Sequence, residues 1–278
     1  MMADVMEIVI LLSLIALGAG AGIMGAMFGL GGGVIFVPVL MLVFGMAPAE
    51  AAAVSLVGIV AGSVGASSVF IEKGLANVRL GLLLEVTTTI GAIAGALIAV
   101  YLQDWILSLV FCAVMIYSAI RMILSPEKVV EPKDGKGRMS FTYRDEAHGE
   151  EIPYEVQNVG KGSAACIVAG MLSSMTGVGG GAIKVPVMNL IMHVPMKAAS
   201  STSSYMIGIT AFSGAITYFL SGQLDLAFAG GVAIGAFIGA LAGTYLARRI
   251  DTRSIRRYFS VVLLFMSAIV LLRVGGIL

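Results

Sequence analysis

The sequence predicts an all-α integral membrane protein made of two inverted-topology repeats of about five helical segments each, with glycine-broken half-helices. The first supporting observation is composition. Of the 278 residues, 59% are hydrophobic and only 12% are charged, so the chain lacks the polar surface that a soluble domain of this size needs. The other two observations are an internal duplication and an uneven distribution of lysine and arginine along the chain.

The duplication is centred on a glycine-rich motif. The twelve residues Gly29–Leu40 return 148 positions later as Gly177–Met188, with eight of the twelve identical. The match continues without a gap, since Gly91–Gly95 aligns with Gly239–Gly243. The chain therefore contains one unit of about a hundred residues used twice. We predict a first membrane repeat at 1–124, a linker at 125–160 and a second membrane repeat at 161–278.

Each repeat contains five apolar segments. Those near 20 residues are long enough to cross the ~30 Å hydrocarbon core of a membrane. The second segment of each repeat has ~13 residues and a length of ~20 Å, which is too short to cross upright. It is either a half-helix of a re-entrant hairpin or a short, tilted crossing. The predicted segments are 5–27, 33–45, 49–71, 79–101, 104–124, 161–176, 181–193, 197–220, 226–248 and 254–274.

The linker between the repeats is polar. Pro126 and Pro132 make its beginning turn-rich, and hydrophobic residues later alternate with polar ones on both sides of His148 and Gly149. Alternation with a period of two is typical of strands, so we predict a β-hairpin here. We place the linker on the cytoplasmic side, as a solvated connector or as a regulatory or partner-binding element.

The basic residues predict the orientation, because cytoplasmic loops and helix ends collect lysine and arginine. If each repeat crosses the membrane an odd number of times, all of the 17 basic residues except Lys184 and Arg273 fall on one side. An odd number of crossings inverts the second repeat relative to the first, about a pseudo-two-fold axis in the membrane plane. We therefore predict a multi-pass protein of the cytoplasmic cell membrane with both termini outside the cytoplasm.

The duplicated glycines predict a binding site for an anion. They allow the backbone to turn sharply, and each run opens into a new helix whose first amides lack an intrahelical partner. Two such positive helix ends near the middle of the membrane could hold one small oxyanion, although the glycines could also serve only tight packing. We predict Pro38 and Pro186 to break the helices. The substrate-binding glycines of this prediction are Gly29, Gly31, Gly32, Gly33, Gly177, Gly179, Gly180 and Gly181.

Lys184 places a charge deep in the second copy, where the first copy has Phe36. An intramembrane cation is costly, which makes it a functional candidate, unless its long side chain reaches an interface. Hydroxyl groups of Ser55, Thr202 and Ser203 either complete the anion site or bond back to helix carbonyls.

Glu85 is the candidate for proton coupling, because it is an acidic residue about one and a half turns into an apolar helix. Catalytic and metal sites are not predicted, since His148 and His193 lie in separate regions without a cluster of ligands. Phosphate-loop strings of the type Gly-x-x-x-x-Gly-Lys-[Ser/Thr] do not occur. We therefore predict neither an enzyme nor a bound cofactor.

The duplicated Gly-x-Gly-Gly-Gly-x-x-x-Val-Pro element, followed by an alanine-rich stretch ending in serine, resembles the TauE/SafE family of sulfite exporters. The resemblance covers nearly the whole chain outside the linker. It implies movement of sulfite, organosulfonates or related sulfur-containing anions across the cytoplasmic membrane. Lys184 and the long hairpin-like linker depart from a symmetrical pattern.

The prediction is thus a secondary transporter, with export by alternating access as the preferred direction, coupled to protons or to the membrane potential. The alternatives are an importer of sulfate- or thiosulfate-like anions and an anion channel. The expected partners are a small anionic substrate and membrane lipids, and nucleic acid is not expected. The oligomeric state is left open.

Overall fold

The computed structural model describes residues 2–124, 139–145, 150–249 and 252–274, and these are almost entirely helical. The helices of the first half are α1 Met2–Phe28, α2 Gly33–Val43, α3 Pro48–Glu72, α4 Val78–Tyr101 and α5 Asp104–Leu124. Those of the second half are α6 Val159–Thr176, α7 Gly181–Pro186, α8 Met196–Leu220, α9 Leu226–Arg249 and α10 Thr252–Val274. A π-helical segment, Val187–Ile191, continues α7, and the strands β1 Ser140–Asp145 and β2 Glu150–Glu155 lie between the halves.

Four of the described helices are long and apolar enough to cross a membrane, namely α1, α3, α4 and α9. Their outer faces carry large apolar side chains, and Leu12, Val86 and Ile238 are each more than half exposed. Such faces are expected where lipid rather than water surrounds the protein. The prediction of an all-α integral membrane protein is confirmed.

Helix packing repeats between the halves. Helices α3 and α8 pack against each other at the centre, α1 packs on α9 as α6 packs on α4, and α3 packs on α9 as α8 packs on α4. Exchanging each helix with its counterpart 148 residues away reproduces the largest of these contacts, whereas smaller ones, such as that of α3 with α6, have no counterpart of comparable size. This exchange supports a two-fold relation between the halves, while the orientation of the axis in the membrane stays a prediction.

Small residues let the paired helices touch through their backbones. A side chain on Gly91 or Gly95 would collide with backbone atoms of α6, and one on Gly235 or Gly239 would collide with backbone atoms of α1. Close approach of this kind is how membrane helices gain dispersion energy without a hydrophobic driving force.

Pro38 does not break its helix, so that prediction is wrong. Helix α2 begins at Gly33 and continues through Pro38 to Val43. The glycines have already ended α1, so the proline costs α2 one internal hydrogen bond rather than its continuity. Pro186 ends the α-helical turns of α7 and is followed by the π-helical segment Val187–Ile191.

Strands β1 and β2 pair in an antiparallel ladder, with Ser140 opposite Glu155. Tyr154 of β2 is almost fully buried, and its hydroxyl oxygen accepts a hydrogen bond of 3.0 Å from the Asn77 amide at the start of α4. Burial raises the pKa of the Tyr154 phenol, and the Asn77 hydrogen bond partly offsets this. The hairpin is thus docked on the helices. Residues 125–138 and 146–149 of the predicted linker lie outside the described residues.

Candidate functional site

The duplicated glycines form two tight loops. In the first, Gly29, Gly31 and Gly32 have φ angles of 72°, 73° and 88°. In the second, the equivalent residues Gly177, Gly179 and Gly180 have φ angles of 67°, 83° and 76°. Glycine alone adopts these left-handed conformations at little cost. The loops therefore end α1 and α6 and start α2 and α7 in the same way.

The two loops contact each other directly. A side chain on Gly33 would overlap the carbonyl oxygen of Gly177, and one on Gly181 would overlap the carbonyl oxygen of Gly29. The starts of α2 and α7 are thus brought together, and backbone atoms fill the space between them. In this conformation an anion has no room between the two loops themselves.

Ser55 and Ser203 connect the loops to the opposite repeats. The Ser55 hydroxyl on α3 donates to the Gly177 carbonyl at 2.6 Å, and the equivalent Ser203 hydroxyl on α8 donates to the Gly29 carbonyl at 2.9 Å. All four groups are buried. Each hydroxyl proton is therefore committed to a carbonyl of the other repeat, and in this conformation neither serine is offered to an anion. We call these two hydrogen bonds the serine braces, because each serine holds the glycine loop of the opposite repeat.

Lys184 is fully buried, and its partners come from two other helices. Its ammonium group donates a hydrogen bond to the Thr210 hydroxyl on α8 and lies 3.6 Å from a carboxylate oxygen of Glu85 on α4. The Thr210 hydroxyl in turn donates to the other Glu85 oxygen at 2.7 Å. Thr210 therefore bridges a cation and an anion that neutralise each other inside an apolar protein.

Two further hydroxyls hold the Glu85 carboxylate. Thr88 and Thr89, one turn further along α4, donate to its two oxygens at 3.0 and 3.1 Å. Together with Thr210, three hydroxyls lie within hydrogen-bond distance of the carboxylate and the Lys184 ammonium lies 3.6 Å away, which is the environment that a buried charged carboxylate requires.

The cluster of Lys184, Thr210 and Glu85 is not repeated at the equivalent positions of the duplication. The residues 148 positions away from Lys184, Thr210 and Glu85 are Phe36, Gly62 and Ala233. None of these three carries a polar side-chain atom, and the Phe36 ring is fully buried. The polar cluster thus has no counterpart at the equivalent positions of the duplication.

Ser173 and Ser174 of α6 add buried hydroxyls that have no hydrogen-bond partner within the described part of the chain, and the Ser174 hydroxyl lies against Gly214 of α8. A side chain on Gly180 would contact both the Ser173 hydroxyl and the Lys184 Cε atom, at 3.1 and 3.3 Å. Ser173, Gly180 and Lys184 are therefore neighbours. In the first repeat the serines are replaced by Gly25 and Ala26.

Thr202 forms a hydrogen bond to a different part of the protein from the other predicted site residues. Its hydroxyl oxygen accepts a hydrogen bond of 2.8 Å from the Asn77 backbone amide, at the turn before α4 where Tyr154 is docked. Thr202 is thus connected to the hairpin, while its neighbour Ser203 is connected to the first glycine loop.

The sequence singles out Lys184 and Glu85 separately, but it predicts neither their contact nor the part played by Thr210, Ser173 and Ser174. The available signal was one acid and one base within otherwise apolar segments, since such residues usually pair. The serines carried a weaker signal, because they replace Gly25 and Ala26 of the first copy.

Comparison with known proteins places the chain in a family. The family model described as "Sulfite exporter TauE/SafE" matches residues 14–270. A probable membrane transporter protein of Bacillus subtilis, YunE, is 29% identical over 90% of this chain and 93% of its own length. A probable membrane transporter protein of Haemophilus influenzae is 25% identical over 81% and 82%, respectively. A protein of Arabidopsis thaliana named "Sulfite exporter TauE/SafE family protein 5" is 26% identical over 50% of this chain and 31% of its own length.

No solved structure matches the chain. The family match spans both repeats and both glycine loops, and the relatives that align over most of their length are named as membrane transporters. The chain belongs to the TauE/SafE family and is a multi-pass membrane transporter.

Proposed function

We propose that the protein exports a small sulfur oxyanion, such as sulfite or an organosulfonate, and binds it beside Lys184. The observation that carries this proposal is the fully buried Lys184 side chain beside the buried Ser173 hydroxyl, which has no hydrogen-bond partner among the described residues. A cation at membrane depth marks a substrate or ion path. An oxyanion would give both groups the acceptor that they need.

The chemistry around Lys184 suits a small anion. Its ammonium group has three donor positions, of which Thr210 takes one. A Cβ atom on Gly180 would meet both the Ser173 hydroxyl and the Lys184 chain, so a ligand held by these two groups would also reach the backbone of the second glycine loop. Because Gly180 has no side chain, its backbone lies directly against both groups.

The family supports the substrate class. The family model carries the description of a sulfite exporter, and the Arabidopsis relative has the same words in its name. Sulfite and organosulfonates share a compact sulfur–oxygen group whose acceptors match an ammonium and a hydroxyl donor.

Alternating access through the two-fold arrangement is the proposed mode of movement. The glycine loops, braced by Ser55 and Ser203, form the centre about which one half rocks against the other. With both termini outside the cytoplasm, the docked hairpin lies at the cytoplasmic end. Outward movement of one net negative charge is favoured by ~2.3 kcal/mol for each 100 mV of inside-negative potential.

Thermal unfolding of the purified protein with a panel of anions tests the site and the substrate class. The panel contains sulfite, sulfoacetate, taurine, thiosulfate, sulfate, phosphate and acetate. A ligand at 100 times its dissociation constant adds ~2.7 kcal/mol to the stability. We expect stabilisation by sulfite or a sulfonate, lost in the charge-neutral double variant Lys184→Met/Glu85→Gln. Equal stabilisation of both proteins, or none with any anion, would contradict the proposal.

Tracer flux in proteoliposomes tests the direction. A potential imposed with potassium and valinomycin should drive labelled sulfite towards the positive side, at a saturable rate. Accumulation of sulfate or thiosulfate against this potential would indicate an importer. A rate that rises linearly with concentration would indicate a channel.

A further inference from the structure

We infer that the Glu85 carboxylate is an internal anion that the substrate replaces at Lys184, so that each transported anion moves together with one proton taken up by Glu85. This inference rests on the proposed function, because it concerns the same cation. It adds a second transported species, the proton, and names the group that carries it.

The Lys184–Glu85 pair carries no net charge when both groups are ionised. Lys184 and Glu85 are both buried, lie 3.6 Å apart and sum to zero. An anion bound at Lys184 beside an ionised Glu85 would leave one uncompensated negative charge in an apolar core, which is strongly unfavourable. Protonation of Glu85 restores neutrality. The site therefore accepts an anion and a proton together more readily than either one alone.

The hydroxyls around Glu85 permit this exchange. In the ionised state Thr88, Thr89 and Thr210 all donate to the carboxylate. A hydroxyl is both donor and acceptor and rotates to suit its partner. Once Glu85 carries a proton, it can donate to one of these oxygens. Thr210 is then free to turn its proton away from Glu85 and towards an anion at Lys184.

The neighbouring elements offer few other groups that could hold this proton. From α6, the group nearest to Lys184 and Glu85 is the buried Cys166 thiol. From α8, the ring of Tyr205 lies against Gly81, one turn before Glu85 on α4. From α7, the facing group is Lys184 itself. Within the described residues, Glu85 is the carboxyl group at this cation, and Cys166 is its nearest titratable rival.

Anion binding measured from acidic to alkaline buffer tests the inference. The probes are sulfite and methanesulfonate, because the charge of a sulfonate does not change in this range. We expect the wild-type affinity for methanesulfonate to fall about tenfold for each unit of pH rise in alkaline buffer, the slope for uptake of one proton per anion. Glu85→Gln should bind with no such slope. The control Cys166→Ala should keep the wild-type slope.

The outcomes separate this inference from the proposed function. A wild-type slope in Glu85→Gln overturns the inference and leaves the anion site standing. Binding of neither probe by either protein overturns the proposed function and the inference with it. Loss of the slope in Cys166→Ala assigns the proton to the thiol and also overturns the inference.

A second measurement uses the wild-type protein alone, in case Glu85→Gln does not fold. In proteoliposomes with a pH-sensitive dye inside, methanesulfonate entry should carry in one proton per anion and be insensitive to an imposed potential, because the pair is neutral. Sulfite in its doubly charged form should keep one net negative charge and respond to the potential. Methanesulfonate entry that carries net charge, or that leaves the internal pH unchanged, overturns the inference.

Discussion

The ammonium group of Lys184 and the carboxylate of Glu85 lie 3.6 Å apart, although the two residues belong to different repeats. Buried ion pairs rarely stabilise a fold more than apolar residues would, because both charges lose their hydration. The two-fold equivalents of the pair, Phe36 and Ala233, illustrate that this packing position accepts apolar residues. Stability alone therefore does not explain why the pair is charged.

Removing one member of this pair should destabilise the protein more than removing both. Lys184→Met leaves the Glu85 charge buried without its partner, which costs about 3–5 kcal/mol. The double variant Lys184→Met/Glu85→Gln buries no charge and should recover most of that loss. Chemical or thermal unfolding in one detergent measures the difference. A double variant as unstable as the single one would show that the two charges are not energetically paired.

The reciprocal serine braces should contribute equally to stability. Ser55→Ala and Ser203→Ala each leave a buried carbonyl of a glycine loop without its hydroxyl donor. The expected loss is about 1–3 kcal/mol for each variant. Ser68→Ala is the control, because the Ser68 hydroxyl bonds to the Gly65 carbonyl on its own helix at an exposed position. If all three variants unfold at the same denaturant concentration, the braces do not hold the loops.

Gly180→Ala should weaken anion binding beyond its effect on the backbone. Gly180 and Gly222 have φ angles of 76° and 72°, so alanine at either position costs roughly 1–2 kcal/mol of stability. A Cβ atom meets Ser173 and Lys184 at position 180 but open space at position 222. Calorimetry with sulfite should therefore show reduced affinity for Gly180→Ala and wild-type affinity for Gly222→Ala. Equal affinities would place the anion elsewhere.

The docked hairpin should loosen in strongly alkaline buffer. Burial raises the pKa of the Tyr154 phenol above its ordinary value of 10.0, so the docked phenol keeps its proton when an undocked one has lost it. Docking is then fully stable below pH ~10 and weakens as the pH rises through the raised value. Limited proteolysis should cleave β2 faster across this range in the wild type, and Tyr154→Phe should lack this dependence. The same alkaline dependence in Tyr154→Phe would assign it to another group.

Much of the fold could be predicted from the sequence because it depends on local patterns. Apolar length predicts the helices, and the glycine runs predict where α1 and α6 end. The predicted helix break at Pro38 is wrong because a proline removes one hydrogen bond of a helix without always ending it. The sequence alone does not show whether the helix continues on both sides of the proline.

The site was less predictable, since its contacts join distant parts of the chain. Glu85 meets Lys184 across the repeats, and Ser55 meets Gly177 in the same way. Neither contact follows from helical periodicity, which relates residues only within one helix. The duplication shows which positions of the two repeats are equivalent. It does not show which helix of one repeat faces which helix of the other, and that information comes from the structure.

Transport of labelled sulfite into proteoliposomes by the wild type and by Lys184→Met/Glu85→Gln tests most directly whether Lys184 binds the anion. We expect saturable transport by the wild type and none by the double variant, with both proteins folded as judged by their thermal unfolding. Transport by the folded double variant at the wild-type rate would contradict the assignment of Lys184 as the binding site of the anion.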